Sequence, residues 1–158
     1  MRSVDTDVRS GRVLGPGEGR AVPGGPLETV VKVESAETGG AFAFIEYAML
    51  PSAWDGPEPH IHNSGSETFF VLEGTLQMLV GDQTIAATPG TCVHVPPGAV
   101  HTFSNPGPDR VRFAQIVCPG SLLTMIEEIV GLLQAGVQDP AKIAAVFRRH
   151  DSEVVVNP

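Results

Sequence analysis

The sequence predicts an all-β domain, a sandwich or barrel of antiparallel strands, with a helical appendage at its C-terminal end. Eight short strand-like segments follow one another between residues 27 and 117, and strands at that spacing belong to sandwiches and barrels. The dipeptides Glu73-Gly74 and Gly81-Asp82 punctuate the run as tight turns, with glycine where a positive backbone angle is needed. After Cys118-Pro119-Gly120 the pattern changes to long apolar stretches of helical character.

Residues 1–26 are too rich in turn formers, at Gly15-Pro16-Gly17 and Pro23-Gly24-Gly25-Pro26, for a long regular element. They read as an extended arm, in which Val13-Leu14 is a candidate for a short added strand. Strands are predicted at 27–34 and 42–50, with a turn over 35–40, then at 67–72, 75–80, 83–87, 91–95, 100–104 and 110–117. A two-residue turn at Glu73-Gly74 would pair Val71 with Leu76, Phe69 with Met78 and Glu67 with Val80. One face then carries a single carboxylate, Glu67, in a wall of Phe69, Val71, Leu76, Met78 and Val80. Ser121 is read as the cap of a helix over 122–134 that stops near Gly136. Asp139 caps a second helix with Pro140 at its first position and Ile143, Val146 and Phe147 on one side. A last strand is predicted at 153–156.

A chain of 158 residues has the length of one domain and can bury a core. The formal charge of −8 disfavours nucleic acid and anionic membranes as partners. There is no signal-like start and no apolar run of membrane-spanning length, so a cytoplasmic location is expected. Cys92 and Cys118 form no CxxC pair and read as reduced, mostly buried thiols.

The chemistry gathers at two patterns: His60-Ile61-His62 followed by Glu67, and Gly90 leading through Pro96 and Gly98 to His101 and Asn105. Side chains two apart on a strand share a face, so His60 and His62 can reach one ion. Turns at 63–66 and 96–98 deliver Glu67 and His101. Three imidazoles and one carboxylate suit a divalent metal and leave coordination positions open, which points to ligand binding or catalysis. Phe69, Met78 and Phe103 have the parity to line a pocket beside these donors. Asn105 reads as a structural hydrogen-bonding residue at a strand end, and His94 and His150 as non-ligand histidines.

These patterns resemble the two motifs of the cupin superfamily, in particular of its small single-domain members. GxxxxxPxGxxHxxxN is met by Gly90, Pro96, Gly98, His101 and Asn105, and the first motif by His60, His62, Glu67 and Gly74. The first motif departs at its start, where only three residues separate Gly56 from His60 instead of five. The resemblance covers about 42–118. It implies a cupin-type antiparallel jelly-roll β-barrel over 27–119, with the arm before it and helices and a short strand at 120–158. It also implies His60, His62, Glu67 and His101 as ligands of one divalent transition metal, whether iron, manganese, nickel, cobalt, copper or zinc, and a homodimer.

The tail around Arg148-Arg149-His150 is similar to that of quercetinase-like members. The function expected is accordingly a metal-dependent dioxygenase acting on a small, aromatic or apolar enol, phenol or hydroxyketone, with Glu67 as the proton acceptor and Phe69, Met78 and Phe103 against the substrate. Two alternatives stand beside it: a non-oxidative cyclase, isomerase or lyase using the metal as a Lewis acid, and a non-enzymatic small-ligand binder.

Overall fold

A computed structural model describes residues 11–155. Eleven strands and two helices are defined in it: β1 (Arg20–Val22), β2 (Leu27–Val33), β3 (Ala43–Met49), β4 (His60–His62), β5 (Ser66–Glu73), β6 (Leu76–Val80), β7 (Gln83–Ala87), β8 (Cys92–Val95), β9 (His101–Ser104), β10 (Val111–Cys118), α1 (Leu122–Gln134), α2 (Pro140–Arg149) and β11 (Ser152–Val154). The first ten residues of the predicted arm, and Val156 of the predicted last strand, lie outside the described residues. Val13 and Leu14 form no strand, and the added strand is β1, which follows the Gly15-Pro16-Gly17 turn and pairs with β2. The predicted turn over 35–40 contains one turn of 3-10 helix, Ser35–Thr38, closed at its start by reciprocal bonds of Glu34 and Glu37.

The strands form two antiparallel sheets, β1-β2-β3-β10-β5-β8 and β11-β4-β9-β6-β7. Their inner faces pack together, with the ring of Phe103 on β9 5.8 Å from Phe69 on β5 and 5.3 Å from Phe113 on β10. The predicted closed jelly-roll β-barrel is therefore corrected. Closure needs an unbroken hydrogen-bonded ladder around the whole circumference, and no strand of one sheet pairs with a strand of the other. Each sheet ends in open edges, at β1 and β8 and at β11 and β7. The expected helical appendage is present.

The hairpin predicted at Glu73-Gly74 is corrected for the same reason. There the chain leaves one sheet for the other: β5 pairs with β10 and β8, and β6 with β7 and β9. Gly74 has φ of +72°, and a Cβ on it would lie 2.4 Å from the carbonyl oxygen of Arg110, so this crossing requires glycine. Side-chain parity nevertheless survives the change of partner. Glu67, Phe69, Val71, Leu76 and Met78 are all buried, because a strand alternates its faces whichever neighbour it pairs with. At Gly81-Asp82 the hairpin forms as predicted, with Val80 opposite Gln83.

Helix α1 buries Leu122, Leu123, Met125 and Val130, and α2 buries Val146 and Phe147, all in the same core as the sheets. Asp139 caps α2 through a 2.9 Å bond accepted from the Ala141 amide. Ser121 makes no side-chain cap bond, and its backbone is already helical. Asn105 plays the structural part predicted for it, donating to the carbonyls of Met49 (3.1 Å) and Asp109 (2.8 Å). Cys92 and Cys118 are free thiols, but Cys92 is exposed rather than buried. Among the described residues no helix is long and apolar enough to cross a membrane.

On the outer face of the larger sheet, Glu46 of β3 ties three strands together by accepting from Arg112 of β10 and lying 3.6 Å from Lys32 of β2. Burial alone would raise the Glu46 carboxyl, but the hydrogen bond and charge of Arg112, with Lys32, hold it below its ordinary value of 4.5. A carboxyl lowered by folding stabilises the fold fully above its unfolded value and loses that contribution as pH falls through the folded one. Glu46→Gln is expected to cost about 1 kcal/mol at pH 7. The wild-type advantage should shrink as pH falls below about 4.5 and through the lowered folded value, as urea unfolding across a pH series will read.

Candidate metal centre

The short strand β4 carries His60 and His62 on its inner face, both buried, while Ile61 between them points away. Its two neighbours complete the group. His101 of β9 lies directly opposite His60, and Ser152 of β11 directly opposite His62. Glu67 arrives from β5 in the facing sheet. The four residues His60, His62, Glu67 and His101 are 1–4% exposed, and one donor atom from each falls within 4.8 Å of all the others.

Hydrogen bonds to the far side of each ring determine what faces the centre. His60 Nδ1 is 2.8 Å from the Glu58 carbonyl and His101 Nδ1 is 3.0 Å from the Ala99 carbonyl. A carbonyl only accepts, so both Nδ1 atoms carry the proton. His62 Nδ1 is 2.7 Å from Ser152 Oγ, whose own proton goes to the His150 carbonyl at 2.9 Å, so His62 Nδ1 donates as well. In the neutral rings all three Nε2 atoms therefore present lone pairs inward, the arrangement that second-sphere acceptors impose on metal-binding histidines.

Those lone pairs meet an anion. Glu67 Oε1 lies 3.3 Å from His62 Nε2 and Oε2 lies 3.1 Å from His101 Nε2. Burial alone would raise the Glu67 carboxyl, but the hydrogen bond with His101 and the nearness of the His62 ring outweigh it and carry the group far below the carboxylate range. Burial pushes His60 down to about 3, with His101 adding to the effect. For His101, burial is overcome by the bond and charge of Glu67, and its pKa is raised. His62 Nε2 is buried and has no hydrogen-bond partner among the described residues. An orphaned imidazole nitrogen beside a buried carboxylate calls for a cation between them, and three nitrogens plus one oxygen fit a divalent transition metal.

A cavity opens beside the cluster. His60, Glu67, Phe103 and Trp54 line it, Tyr47 and Gln115 form part of its floor, and apolar residues of α1 and α2 cover it. Phe147 of α2 packs 4.8 Å from the His60 ring, and Trp54 stands edge-on to Phe103 at 6.2 Å. Of the three predicted pocket residues, Phe103 lines this cavity. Phe69 and Met78 are fully buried behind it, Phe69 against the Phe103 ring and Met78 opposite Phe103 in the sheet register. His94 hydrogen-bonds Thr68 and His150 bonds Glu128, both away from the four donors.

Sequence reasoning did not find Ser152, Gln115 or the helical roof. Gln115 had a readable signal, as the lone polar residue at inward parity in Val111, Phe113, Gln115, Val117. Ser152 had none, because its role depends on β11 returning from the far end of the chain to pair with β4.

Residues 46–118, slightly under half of the chain, match the family model described as "Cupin domain", and that segment contains the metal-facing residues of both motifs. Over 92 residues, 58% of its length, the chain is 34% identical to quercetin 2,3-dioxygenase of Bacillus subtilis (strain 168). Over 76 residues, 48% of its length, it is 29% identical to mannose-1-phosphate guanylyltransferase 2 of Escherichia coli O157:H7. The matched segments span 26% and 15% of those two proteins. Among solved structures, an uncharacterised conserved protein with a double-stranded β-helix domain from Klebsiella pneumoniae subsp. pneumoniae MGH 78578 is similar at a TM-score of 0.56 and 22% identity, over 70% of this chain and 92% of that one. That likeness shows the fold. The buried His60, His62, Glu67 and His101 group lies within the segment that matches the family model, and its donor set suits a divalent metal ion.

The bond from His62 to Ser152 provides a test of the site away from its four donors. Ser152→Ala removes the acceptor that holds the His62 ring, and is expected to weaken Co²⁺ binding by about 10- to 100-fold. Chelator competition on the purified protein measures this, and unchanged affinity would remove β11 from the site.

Proposed function

We propose that the protein is a metal-dependent dioxygenase of quercetinase-like type, acting on a small enol, phenol or hydroxyketone. The observation that carries the reading is the convergence of three imidazole nitrogens and the Glu67 carboxylate at the edge of an apolar cavity. The likeness to quercetin 2,3-dioxygenase over 92 residues supports the oxidative form of the chemistry.

His60, His62, His101 and Glu67 would hold one divalent ion, of iron, manganese, nickel, cobalt, copper or zinc. When bound, such an ion supplies Lewis acidity at a substrate oxygen and a site for reaction with dioxygen. Glu67, ionised at neutral pH, receives the proton that the acidified substrate hydroxyl gives up. Phe103, backed by Phe69, and Trp54 orient an apolar ring, while the α1 and α2 side chains restrict water around the anion. Dioxygen is the oxidant, and both of its atoms enter the cleaved organic product, so no external reductant is required. The homodimer implied by the resemblance is part of this reading.

The test begins with metal content of the untagged protein by mass spectrometry, beside His101→Ala. Near-stoichiometric metal in the wild type and its loss in the variant are expected. Oxygen uptake with a panel of flavonols and simpler phenols then follows on each metal form, and Glu67→Gln should lower it by about 100-fold or more. Bound metal without oxygen uptake on any form would replace the dioxygenase with the non-oxidative isomerase, cyclase or lyase chemistry open to the same residues, or with ligand binding alone. Failure to bind any metal would overturn the site.

A further inference from the structure

The floor of the cavity carries polar groups that the four metal-facing residues do not use. On β5, β10, β3 and β2 the inward residues Glu67, Gln115, Tyr47 and Thr29 form a diagonal track through an otherwise apolar sheet face. Glu67 is opposite Val117, two residues from Gln115. Gln115 is opposite Ile45, two residues from Tyr47, and Tyr47 is opposite Thr29. Cross-strand diagonal neighbours lie roughly 7–8 Å apart, within joint reach of one small molecule.

The chemistry of the middle two residues gives the track a direction. Tyr47 donates its proton to Gln115 Oε1 at 2.9 Å, and both residues are 3–4% exposed. The carbonyl end of the Gln115 amide is thereby turned toward Tyr47. The amide nitrogen, with two protons to donate, makes no hydrogen bond to any described residue, while the side chain lines the cavity. Among the described residues the fully buried side-chain atoms without a partner are Thr29 Oγ1, His62 Nε2 and Asn105 Oδ1, so the Gln115 nitrogen is not sealed in the core and is left free to donate into the cavity. An aliphatic side chain would serve the fold more simply at this position, since the strand neighbours on the same face, Phe113 and Val117, are both apolar.

We infer that Gln115 is a specificity-determining residue whose amide nitrogen donates to a second oxygen of the substrate, and that Tyr47 is the positioning residue that aims it. The substrate class is narrowed accordingly, to a mainly apolar molecule carrying an acceptor oxygen, such as a ketone carbonyl, apart from the hydroxyl that faces His60, His62, Glu67 and His101. This inference rests on the proposed function for the place of that hydroxyl. It adds a requirement that the proposed function does not contain. A site built to hydrogen-bond an oxygen discriminates against an analogue lacking it, because the donor is then left unpaired.

The test uses the full chain loaded with Co²⁺ and three matched probe pairs, the ortho, meta and para isomers of hydroxyacetophenone and of ethylphenol. The members of a pair share the phenol and differ in the carbonyl oxygen. Calorimetry should show at least one ketone binding about 10-fold more tightly than its ethylphenol. Gln115→Met, which keeps length and removes the donor, should reduce that ratio to about 2-fold or less without weakening the ethylphenol. Tyr47→Phe frees the amide to turn and should lower the ratio part of the way, an effect on selectivity that a purely packing role for Tyr47 would not produce. Equal binding within every pair in the wild type overturns the inference whether or not a variant folds, as does a ratio unchanged in Gln115→Met. Phenol binding that is lost in His101→Ala, with no preference for a ketone, would sink the inference and leave the proposed function standing. If none of the six probes binds the metal-loaded protein, both fall.

Discussion

A carboxylate buried to 4% exposure between two apolar sheet faces is stable only if other groups replace the water it has lost, and Glu67 sets this requirement for the whole molecule. Two imidazoles meet it directly, His62 and His101, and His60 stands with its ring 4.2 Å from that of His101. Three protonated rings could not share so small a volume. The protein instead fixes the proton of each neutral ring on Nδ1, with the Glu58 and Ala99 carbonyls and Ser152 Oγ as acceptors. His101 Nε2 lies 3.1 Å from Glu67 and bonds it when it carries a proton, whereas a neutral ring turns a bare nitrogen to the same carboxylate. A divalent cation satisfies all four at once, so the same bonds that hold the fold together at this point also prepare it to bind metal.

The C-terminal segment is part of this arrangement. Strand β11 pairs with β4 and supplies Ser152, while Phe147 of α2 packs on His60 and α1 covers the cavity. A sheet of β4, β9, β6 and β7 alone would leave the outer edge of β4 unpaired and the His62 ring without its acceptor. The helices also give the site its asymmetry. Their side of the cavity offers hydrocarbon, whereas the opposite wall offers Glu67, Gln115 and Tyr47. Burial, with the charge of Glu67 acting further, pushes the Tyr47 hydroxyl well above its ordinary value, so it stays protonated and remains a donor.

How far the sequence discloses this molecule depends on whether a feature is local. Period-two alternation is local, and it placed His60, His62, Glu67, Phe69, Val71, Leu76 and Met78 on inward faces even though the hairpin used to argue the point does not exist. The turn at Gly81-Asp82 and the Asp139-Pro140 helix start were legible for the same reason. Sheet membership is not local. Glu73-Gly74 has the composition of a hairpin turn, but the carbonyl of Arg110 lies against Gly74, and that contact accompanies a crossing between sheets. The closed barrel came from resemblance rather than from the residues, which by themselves allowed a sandwich. In the structure the ladders end at β1, β8, β11 and β7. Ser152 was invisible because its partner His62 is 90 residues away in sequence.

The donor set defines a class of chemistry, and the walls around it select within that class. A divalent ion held by these four residues would acidify a bound hydroxyl whether or not dioxygen followed, so oxidative and non-oxidative reactions would begin from one geometry. Selection comes afterwards, from where the resulting anion is held and what reaches it. An entirely apolar cavity would let a small substrate rotate about its one polar attachment. Here Glu67 and Gln115, diagonal neighbours on adjacent strands, present two polar positions on the same wall, one accepting and one donating. Two attachments fix an orientation where one does not, and they turn the apolar remainder of the substrate toward α1 and α2. The two strands that set this spacing, β5 and β10, are paired along nearly their full length. For the substrate proposed, that rigidity would keep the relation between anion and second oxygen constant during reaction.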